Sequence, residues 1–559
     1  MCTTKRSLVI ALLALELAVT IVQCIVVEIE GLGSVLGITK SINGSLVDTF
    51  WGVPFARPPV GDLRFVPPKM VQPWKKTLIG KKKSCLQTNP SFTTVKGEED
   101  CLYLNIFRVR KGKTARMSVM VFIHGGGYRT GSGSDYNGEM LTALYDVLVV
   151  TINYRLGIFG FFSLPDSELL GNYGLQDQIL ALKWVKAHIS AFGGDPSKVT
   201  VFGESAGASS VSLLLLSPLT KGLFTRAIAE SASALSPWAV YERQNRSIAA
   251  GFAASFGCRE THIATCLRGT PATRLLLKPM PSTFYPLTAP TVDGKVITAL
   301  PWHQGKKGKL PVPDLELLIG FNKDEGTIFL PKIEWNQAAY KQYITGTLKW
   351  RYKKSANIIG EIASFEYRKF LNPENWSLMM SCSDFLADFY FKEGIIKMAG
   401  DWSKAGKRVY VYDFTYLPEH LRVPSLGIAH SIELGFVFGR PFFSSGDWLV
   451  AKYTESDANF SRKMMKMWTD FVKYGVPESK WPIFDLDKKS YLEINVTNTR
   501  KHNYNPRRMT LWHSVLPKVL ALTNATKRES KISPNAPAIP KITAKILNNY
   551  NLLELPIIP

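Results

Sequence analysis

The pentapeptide Gly203-Glu204-Ser205-Ala206-Gly207 has the residue types and spacing for nucleophilic chemistry. A serine hydroxyl held in such a turn can attack a carbonyl carbon and carry an acyl group covalently. The apolar run Val199–Phe202 precedes the turn and Ser209–Leu216 follows it, which predicts a strand and then a helix. The glycines at both ends of the pentapeptide would let the backbone take a strained conformation. We therefore predict that Ser205 is a nucleophile; a chance pentapeptide in a glycine-containing turn is the alternative.

A second motif, His124-Gly125-Gly126-Gly127, follows the apolar run Met117–Ile123. Glycines let backbone approach a substrate closely, and fixed N–H groups stabilise an oxyanion well. We expect three N–H groups to do so: those of Gly126, Gly127 and Ala206. A flexible turn or a phosphate loop is the alternative, but the Gly-Lys-Ser/Thr of a phosphate loop is missing here. His124 is predicted to order the loop rather than to act as a base.

The elements that must position these motifs alternate between strand and helix. Met117–Ile123, Val147–Asn153 and Lys198–Phe202 are predicted strands, and Leu175–Phe192 has the apolar spacing of a helix. This order predicts an α/β fold in which a mostly parallel sheet is flanked by helices.

With these motifs, the chain resembles the type-B carboxylesterases of the α/β-hydrolase superfamily, the group that includes cholinesterases. The stretches that carry the resemblance are Phe50–Gly61, Glu99–Asn105, Asn153–Gly157, Gly171–Gln178 and Gly193–Pro196, together with the turn around Ser205. The resemblance covers roughly Val26 to Leu516. It implies an α/β-hydrolase fold and a serine ester hydrolase that needs no metal or organic cofactor.

The resemblance also selects a base and an acid, in the chain order nucleophile, acid, histidine. It assigns the base to His430, with His420 as the nearest rival, and the acid to Glu325. The neighbouring Asp324 is equally acidic, and only the family pattern separates the two. The family usually has an acidic residue two positions after the histidine; here that residue is Ile432, although Glu433 is kept.

The N-terminus has the pattern of a secretory signal peptide. The basic pair Lys5-Arg6 precedes an apolar run over residues 8–22. We predict cleavage after Cys24, so that residues 1–24 are a leader and the protein is secreted to the extracellular space. An uncleaved anchor is the alternative, although the run is short and contains Glu16. Beyond the leader we predict one α/β-hydrolase domain over residues 25–520 and a loose, basic, proline-containing tail over 521–559.

The cysteines and the glycosylation sequons are consistent with passage through the oxidising secretory pathway. Two cysteine pairs are close in sequence and could each form a disulfide: Cys85–Cys101 and Cys258–Cys266. Cys382 is left over, and we predict a buried free thiol in preference to a bridge between chains. Six Asn-x-Ser/Thr sequons could accept glycans: Asn43, Asn245, Asn375, Asn459, Asn495 and Asn524.

The formal net charge of +23 permits attraction to anionic surfaces. The basic residues occur in short clusters such as Lys81-Lys82-Lys83, which favours dispersed charge that keeps the protein soluble. A nucleic-acid partner is not expected, because no recognition module is present. The expected partner is a small-molecule ester, and the oligomeric state stays open.

The choice of ester rests on the predicted first disulfide loop, Leu86–Asp100. By the resemblance, cholinesterases carry there a tryptophan that holds a quaternary ammonium group. This loop has no tryptophan, and Phe92 is its only aromatic residue. We therefore predict a general carboxylesterase rather than a cholinesterase. A non-catalytic adhesion protein of the same fold is a further alternative, although the serine, acid, histidine and glycine loop are all retained; a lipase is another.

Overall fold

The computed structural model of the protein describes residues 23–89, 93–112, 116–165, 167–242, 246–259, 262–278, 287–304, 314–368, 375–421, 427–443 and 453–523. Most of the predicted leader, the tail from residue 524, Phe92, and the sequons at Asn245 and Asn524 lie outside these residues, as does the side chain of Asn375. The leader, the tail and these sequons stay predictions.

The strands, in chain order, are β1 (Gln23–Ile29), β2 (Gly33–Ile42), β3 (Ser45–Pro54), β4 (Leu78–Ile79), β5 (Gln87–Thr88), β6 (Val95–Lys96), β7 (Tyr103–Val109), β8 (Met117–Ile123), β9 (Val147–Ile152), β10 (Gly194–Glu204), β11 (Arg226–Glu230), β12 (Glu316–Asn322), β13 (Val409–Phe414), β14 (Ser490–Ile494) and β15 (Thr499–His502). Among the described residues, thirteen of them form one sheet in the order β1-β2-β3-β7-β9-β8-β10-β11-β12-β13-β14-β15, with β4 paired to β2. The remaining two, β5 and β6, pair with each other.

The sheet is parallel from β9 through β14 and antiparallel at both ends, apart from the short parallel pair of β2 and β4. Because parallel strands end on the same edge, the residues that follow β8, β10, β11 and β12 come together there. The last two residues of the predicted leader, Gln23 and Cys24, lie in β1 and pair with Thr39 and Ile38 of β2.

The helices are α1 (Glu139–Tyr145), α2 (Gly157–Phe161), α3 (Tyr173–His188), α4 (Ala206–Leu216), α5 (Arg246–Ala254), α6 (Ile263–Gly269), α7 (Ala272–Leu277), α8 (Pro301–Gln304), α9 (Gln337–Tyr352), α10 (Ala356–Tyr367), α11 (Asn375–Ala387), α12 (Glu393–Lys404), α13 (Glu433–Val437), α14 (Glu455–Tyr474) and α15 (Pro506–Thr510). A π-helical turn, Asp388–Lys392, joins α11 to α12, and another, Leu511–Val515, follows α15. Residues 516–523 are helical, so the predicted start of the tail lies within a helical stretch.

The central strands are buried on both sides. All seven residues of β8 are buried, and alternate ones, Met120 and Phe122, share a core cluster with Trp468 and Phe471 of α14. Since side chains alternate across a strand, the residues between them face the opposite layer. The chain thus has the mostly parallel sheet flanked by helices of the α/β-hydrolase fold, which confirms the predicted fold class.

Two of the stretches that carry the resemblance are joined in the interior. Arg155 Nη2 lies 2.8 Å from Asp177 Oδ1, and both side chains are buried. The Arg155 Nε and backbone N–H both donate to Asp177 Oδ2 at 2.9 Å. Each charge is therefore paired and hydrogen-bonded, which is the condition for burying it at tolerable cost.

The described residues form two compact units. The first contains the chain up to Trp335 and Lys369–Tyr504, and the second contains Asn336–Arg368 and the chain from Asn505. The sheet and every candidate site residue belong to the first unit. Within the second unit, Trp512 Nε1 donates to Tyr367 Oη at 2.7 Å.

Both predicted disulfides are present, Cys85–Cys101 and Cys258–Cys266. Cys382 is buried, and it forms no disulfide within the described residues. Among the described residues, none of the helices is both long and apolar enough to cross a bilayer.

Candidate active site

Ser205 lies alone between β10 and α4, in a conformation that side chains rarely adopt. Its φ is 56° and its ψ is −122°. Such backbone costs on the order of 1–3 kcal/mol and persists only where the surroundings enforce it. The Ser205 N–H donates to Glu230 O at 2.8 Å, and its carbonyl accepts from Ser209 N at 2.9 Å. The turn therefore stands at the end of β10, where the sequence predicts it.

The glycines on either side of Ser205 are required by the close approach of β8. A Cβ atom at Gly207 would lie 1.9 Å from Ile123 O, and one at Gly203 would lie 2.6 Å from the same oxygen. Contacts under 3.0 Å are not tolerated, so any side chain here must displace a strand of the sheet. The sequence pattern thus reflects packing of the turn against β8 as well as its backbone strain.

The glycine loop follows β8 directly and lies beside this turn. Gly126 and Gly127 have φ values of 100° and 61°. The Gly126 carbonyl accepts from Arg129 N and Thr130 N, both at 3.0 Å, which fixes the loop. Ala206, whose N–H is the third expected donor, is buried at the first position of α4. The three residues predicted to form an oxyanion hole are therefore on adjoining segments.

His124 packs within the loop. Its ring stacks on Tyr154 with centroids 4.5 Å apart, and Nδ1 lies 2.9 Å from Gly125 O. Burial lowers the pKa of His124 to about 4, which keeps the ring neutral. A buried neutral ring held by its own loop fits an ordering role.

Glu325 and His430 are in direct contact. Glu325 Oε2 lies 2.5 Å from His430 Nδ1, and Glu325 Oε1 accepts from Asn322 N at 2.8 Å. Asp324 turns elsewhere: its carboxylate accepts from Ile428 N at 2.9 Å. The turn after β12 therefore distinguishes two adjacent carboxylates that the sequence alone could not separate. The rival histidine, His420, packs its ring against Tyr453 with centroids 4.4 Å apart.

The other ring nitrogen of His430 faces Glu204. Nε2 lies 3.2 Å from Glu204 Oε1, and the hydroxyl of Ser431 donates to the same oxygen. Among the hydrogen bonds of the described residues, none joins Ser205 Oγ to His430. Burial alone would lower the pKa of His430, but the carboxylates of Glu204 and Glu325 outweigh it and raise that pKa to about 9.

Two further buried acids extend this cluster: Glu433, to which the sequence assigned no role, and Glu230, which it did not single out. Glu230 is the residue paired with Glu204 across β10 and β11, and Glu433 accepts hydrogen bonds from Ser231 and Asn322. Burial, reinforced by the Glu204 and Glu325 charges, raises the pKa of Glu433 to about 8. Burial and Glu433 likewise raise the pKa of Glu230. The available signal was positional: Glu204 and Glu230 each end a β-strand of the parallel sheet.

An arc of aromatic rings connects the glycine loop to the histidine. Tyr128 lies 6.3 Å from Trp238, Trp238 lies 6.1 Å from Phe391, and Phe391 lies 4.7 Å from His430, measured between ring centroids. Phe329 adds a ring 6.1 Å from His430. Tyr128, Trp238 and Phe391 are buried, so this side of His430 is packed with apolar rings.

The comparisons with known proteins agree with this geometry. The family model described as "Carboxylesterase family" matches residues 23–512. The chain belongs to the carboxylesterase family. It is thus a carboxylic ester hydrolase, and the predicted resemblance is confirmed.

Three relatives of this carboxylesterase are each 34% identical to it. They are a cholinesterase of Mus musculus (88% of this chain and 87% of the relative), a medium-chain fatty acyl-CoA hydrolase precursor of Anas platyrhynchos (88% and 92%), and liver carboxylesterase 1 of Oryctolagus cuniculus (89% and 94%). Equal identity to all three means that similarity does not select a substrate for this carboxylesterase.

Proposed function

We propose that this carboxylesterase is a secreted enzyme that hydrolyses carboxylic esters through an acyl-enzyme on Ser205. The observation that carries the proposal is the 2.5 Å contact between Glu325 and His430, whose Nε2 lies 3.2 Å from Glu204, the neighbour of a serine held at φ 56°. An acid on Nδ1 fixes the tautomer in which the neutral ring can take a proton at Nε2, and a strained turn presents the hydroxyl.

The first half of the reaction forms the acyl-enzyme. His430 Nε2 accepts the Ser205 proton while Oγ attacks the ester carbonyl carbon, and Glu325 stabilises the imidazolium that results. The N–H groups of Gly126, Gly127 and Ala206 bind the oxyanion. His430 then gives its proton to the departing alcohol.

The second half releases the acid. Water enters where the alcohol left, and His430 takes one of its protons while the oxygen attacks the acyl carbon. Collapse of the second oxyanion breaks the bond to Ser205 Oγ, which recovers its proton from His430. The balance is one ester and one water consumed, with one acid and one alcohol produced.

The assay for this proposal uses a chromogenic ester and an organophosphate. We expect turnover in the purified protein, loss of turnover after treatment, and no turnover in Ser205→Ala at an unchanged melting temperature. Absence of turnover in the folded wild-type protein would instead favour the non-catalytic adhesion alternative.

For the substrate, we propose a general carboxylesterase rather than a cholinesterase. The described part of the loop closed by Cys85–Cys101 contains no tryptophan to hold a quaternary ammonium group. The test compares butyrylcholine with 3,3-dimethylbutyl butyrate, in which carbon replaces the charged nitrogen. We expect kcat/KM values within about threefold of each other, because a desolvated cation–π contact of about 2 kcal/mol would instead give about thirtyfold. A clear preference for the choline ester would make the enzyme a cholinesterase.

Secretion is part of the same proposal. The support is the leader pattern, the two disulfides, and an exposed sequon at Asn43 in the turn between β2 and β3, where φ is 47°. Expression in a secreting host should release the protein to the medium with a glycan on Asn43, read by enzymatic deglycosylation in heavy-oxygen water and peptide mass. Retention of the whole chain in the cell would contradict this part.

A further inference from the structure

Ser431, the residue after the histidine, stands in a backbone conformation that favours glycine. Its φ is 71°. Non-glycine residues in this region pay a steric cost, and a serine has no general preference for it. A contact that needs the hydroxyl can offset that cost. Here the hydroxyl donates to Glu204 Oε1 at 2.5 Å, across 227 residues of sequence.

The carboxylate that Ser431 holds is confined on two sides. Oε1 is shared between the Ser431 hydroxyl and His430 Nε2, at 2.5 and 3.2 Å. Oε2 lies over the glycine loop, where a Cβ at Gly125 would be 2.6 Å from it. Glu204 is 3% exposed, so solvent does little to screen its charge. These contacts therefore fix the Glu204 carboxylate beside Nε2 of His430.

We propose that Ser431 is a positioning residue that holds Glu204 against Nε2 of His430, so that in the resting site this carboxylate takes the place of the Ser205 hydroxyl. The proposal deepens the proposed function and rests on it, because it assigns His430 as the base. His430 Nε2 must leave the Glu204 carboxylate and contact the Ser205 hydroxyl before the first proton transfer. The ion pair between His430 and Glu204 in the resting site therefore opposes formation of the neutral imidazole.

The direction of the effect follows from the groups that surround the ring. His430 meets Glu204 at the end of β10, Glu325 after β12, Glu433 on α13, and the rings of Phe329 and Phe391. Removing the Ser431 hydroxyl changes only the Glu204 contact. It releases the Glu204 carboxylate from Nε2, and it removes one hydrogen bond that stabilises the charged form of that carboxylate. Both changes lower the proton affinity of the ring.

The experiment measures kcat/KM against pH, with each variant normalised to its own high-pH plateau. In Ser431→Gly and Ser431→Ala, we expect the acid limb to move to lower pH by at least about half a unit, which is about a threefold gain on that limb. Glycine accepts the φ and alanine does not, so a shift shared by both comes from the hydroxyl. Ser431→Asn keeps a donor and tolerates this φ, so it should restore the wild-type limb.

Two controls separate the explanations. Asn503→Gly removes another left-handed residue, φ 48°, on the exposed surface, and should keep the wild-type profile. In a Glu204→Gln background, Ser431→Gly should add no further shift. The proposal is overturned if both hydroxyl-free variants keep the wild-type limb, or if only the glycine variant shifts. Turnover that persists in Ser205→Ala would instead overturn the proposed function.

Discussion

Glu325 and His430 form the closest contact between ionisable groups of the candidate site, with Oε2 2.5 Å from Nδ1. The carboxylate is fully buried and is held on its other oxygen by Asn322 N. It therefore cannot turn toward solvent, and the ring it holds has one orientation. Asp324, one residue earlier, points its carboxylate to Ile428 N.

Glu325→Gln should lower kcat by about 10³–10⁴, because an amide can hold the ring in the wrong tautomer and does not stabilise the imidazolium. Asp324→Asn is the matched control, since it removes the neighbouring carboxylate, and it should cost less than about tenfold. Steady-state kinetics on one ester measure both. The opposite ranking would move the acid to Asp324.

The pH profile should show a base that is harder to deprotonate than an ordinary histidine. Glu204 and Glu325 overcome the effect of burial and raise the pKa of His430 from 6.5 to about 9. Since the base must be neutral, kcat/KM of the wild-type enzyme should rise with pH through a limb above 6.5. Glu204→Gln removes one of the two charges and should move the limb to lower pH. A wild-type limb at or below 6.5 would contradict the ion-paired resting state.

Gly207→Ala should destabilise the fold severely. The added Cβ would lie 1.9 Å from Ile123 O, a backbone atom of β8 that cannot move away without displacing the strand. We expect a loss of at least about 4 kcal/mol in the free energy of unfolding, by denaturant titration. Gly251→Ala is the control: this exposed glycine of α5 has nothing within 4 Å of the new Cβ, so a gain of about 0.5–1 kcal/mol is expected. Equal effects would mean that the turn is not packed against β8.

Breaking the buried ion pair between Arg155 and Asp177 should lower the free energy of unfolding more than breaking an exposed pair. Asp177→Ala leaves the buried Arg155 charge unpaired and should cost about 3–5 kcal/mol. Glu361→Ala breaks an exposed pair with Lys341 and should cost less than about 1 kcal/mol. Denaturant midpoints measure both. A small effect at Asp177 would show that solvent reaches Arg155 after the change.

The sequence predicted what is local in the chain. The run Met117–Ile123 coincides with β8, and the predicted helix at Leu175–Phe192 corresponds to α3 and a 3₁₀ turn, Ile189–Phe192. β8 is an almost continuous apolar run, and apolar residues recur at helical spacing along α3. The predicted strand Lys198–Phe202 is longer in the structure: it begins at Gly194, which pairs with Met117 of β8, and it ends at Glu204.

What the sequence could not predict depends on contacts between distant segments. Glu204 looks like the variable position of a pentapeptide, and Ser431 like an ordinary loop serine. Their contact exists only because β10 and the histidine loop end at the same edge of the sheet. The choice between Asp324 and Glu325 likewise depends on how one turn directs two adjacent side chains.

The central claim is that Ser205 carries the acyl group, and the most direct test is covalent labelling. The purified enzyme is treated with a fluorophosphonate, digested, and mapped by tandem mass spectrometry, with Ser205→Ala treated alongside. We predict one equivalent of label per chain, located on Ser205, and none in the variant. Label on another residue, or full labelling of the variant, would contradict the account.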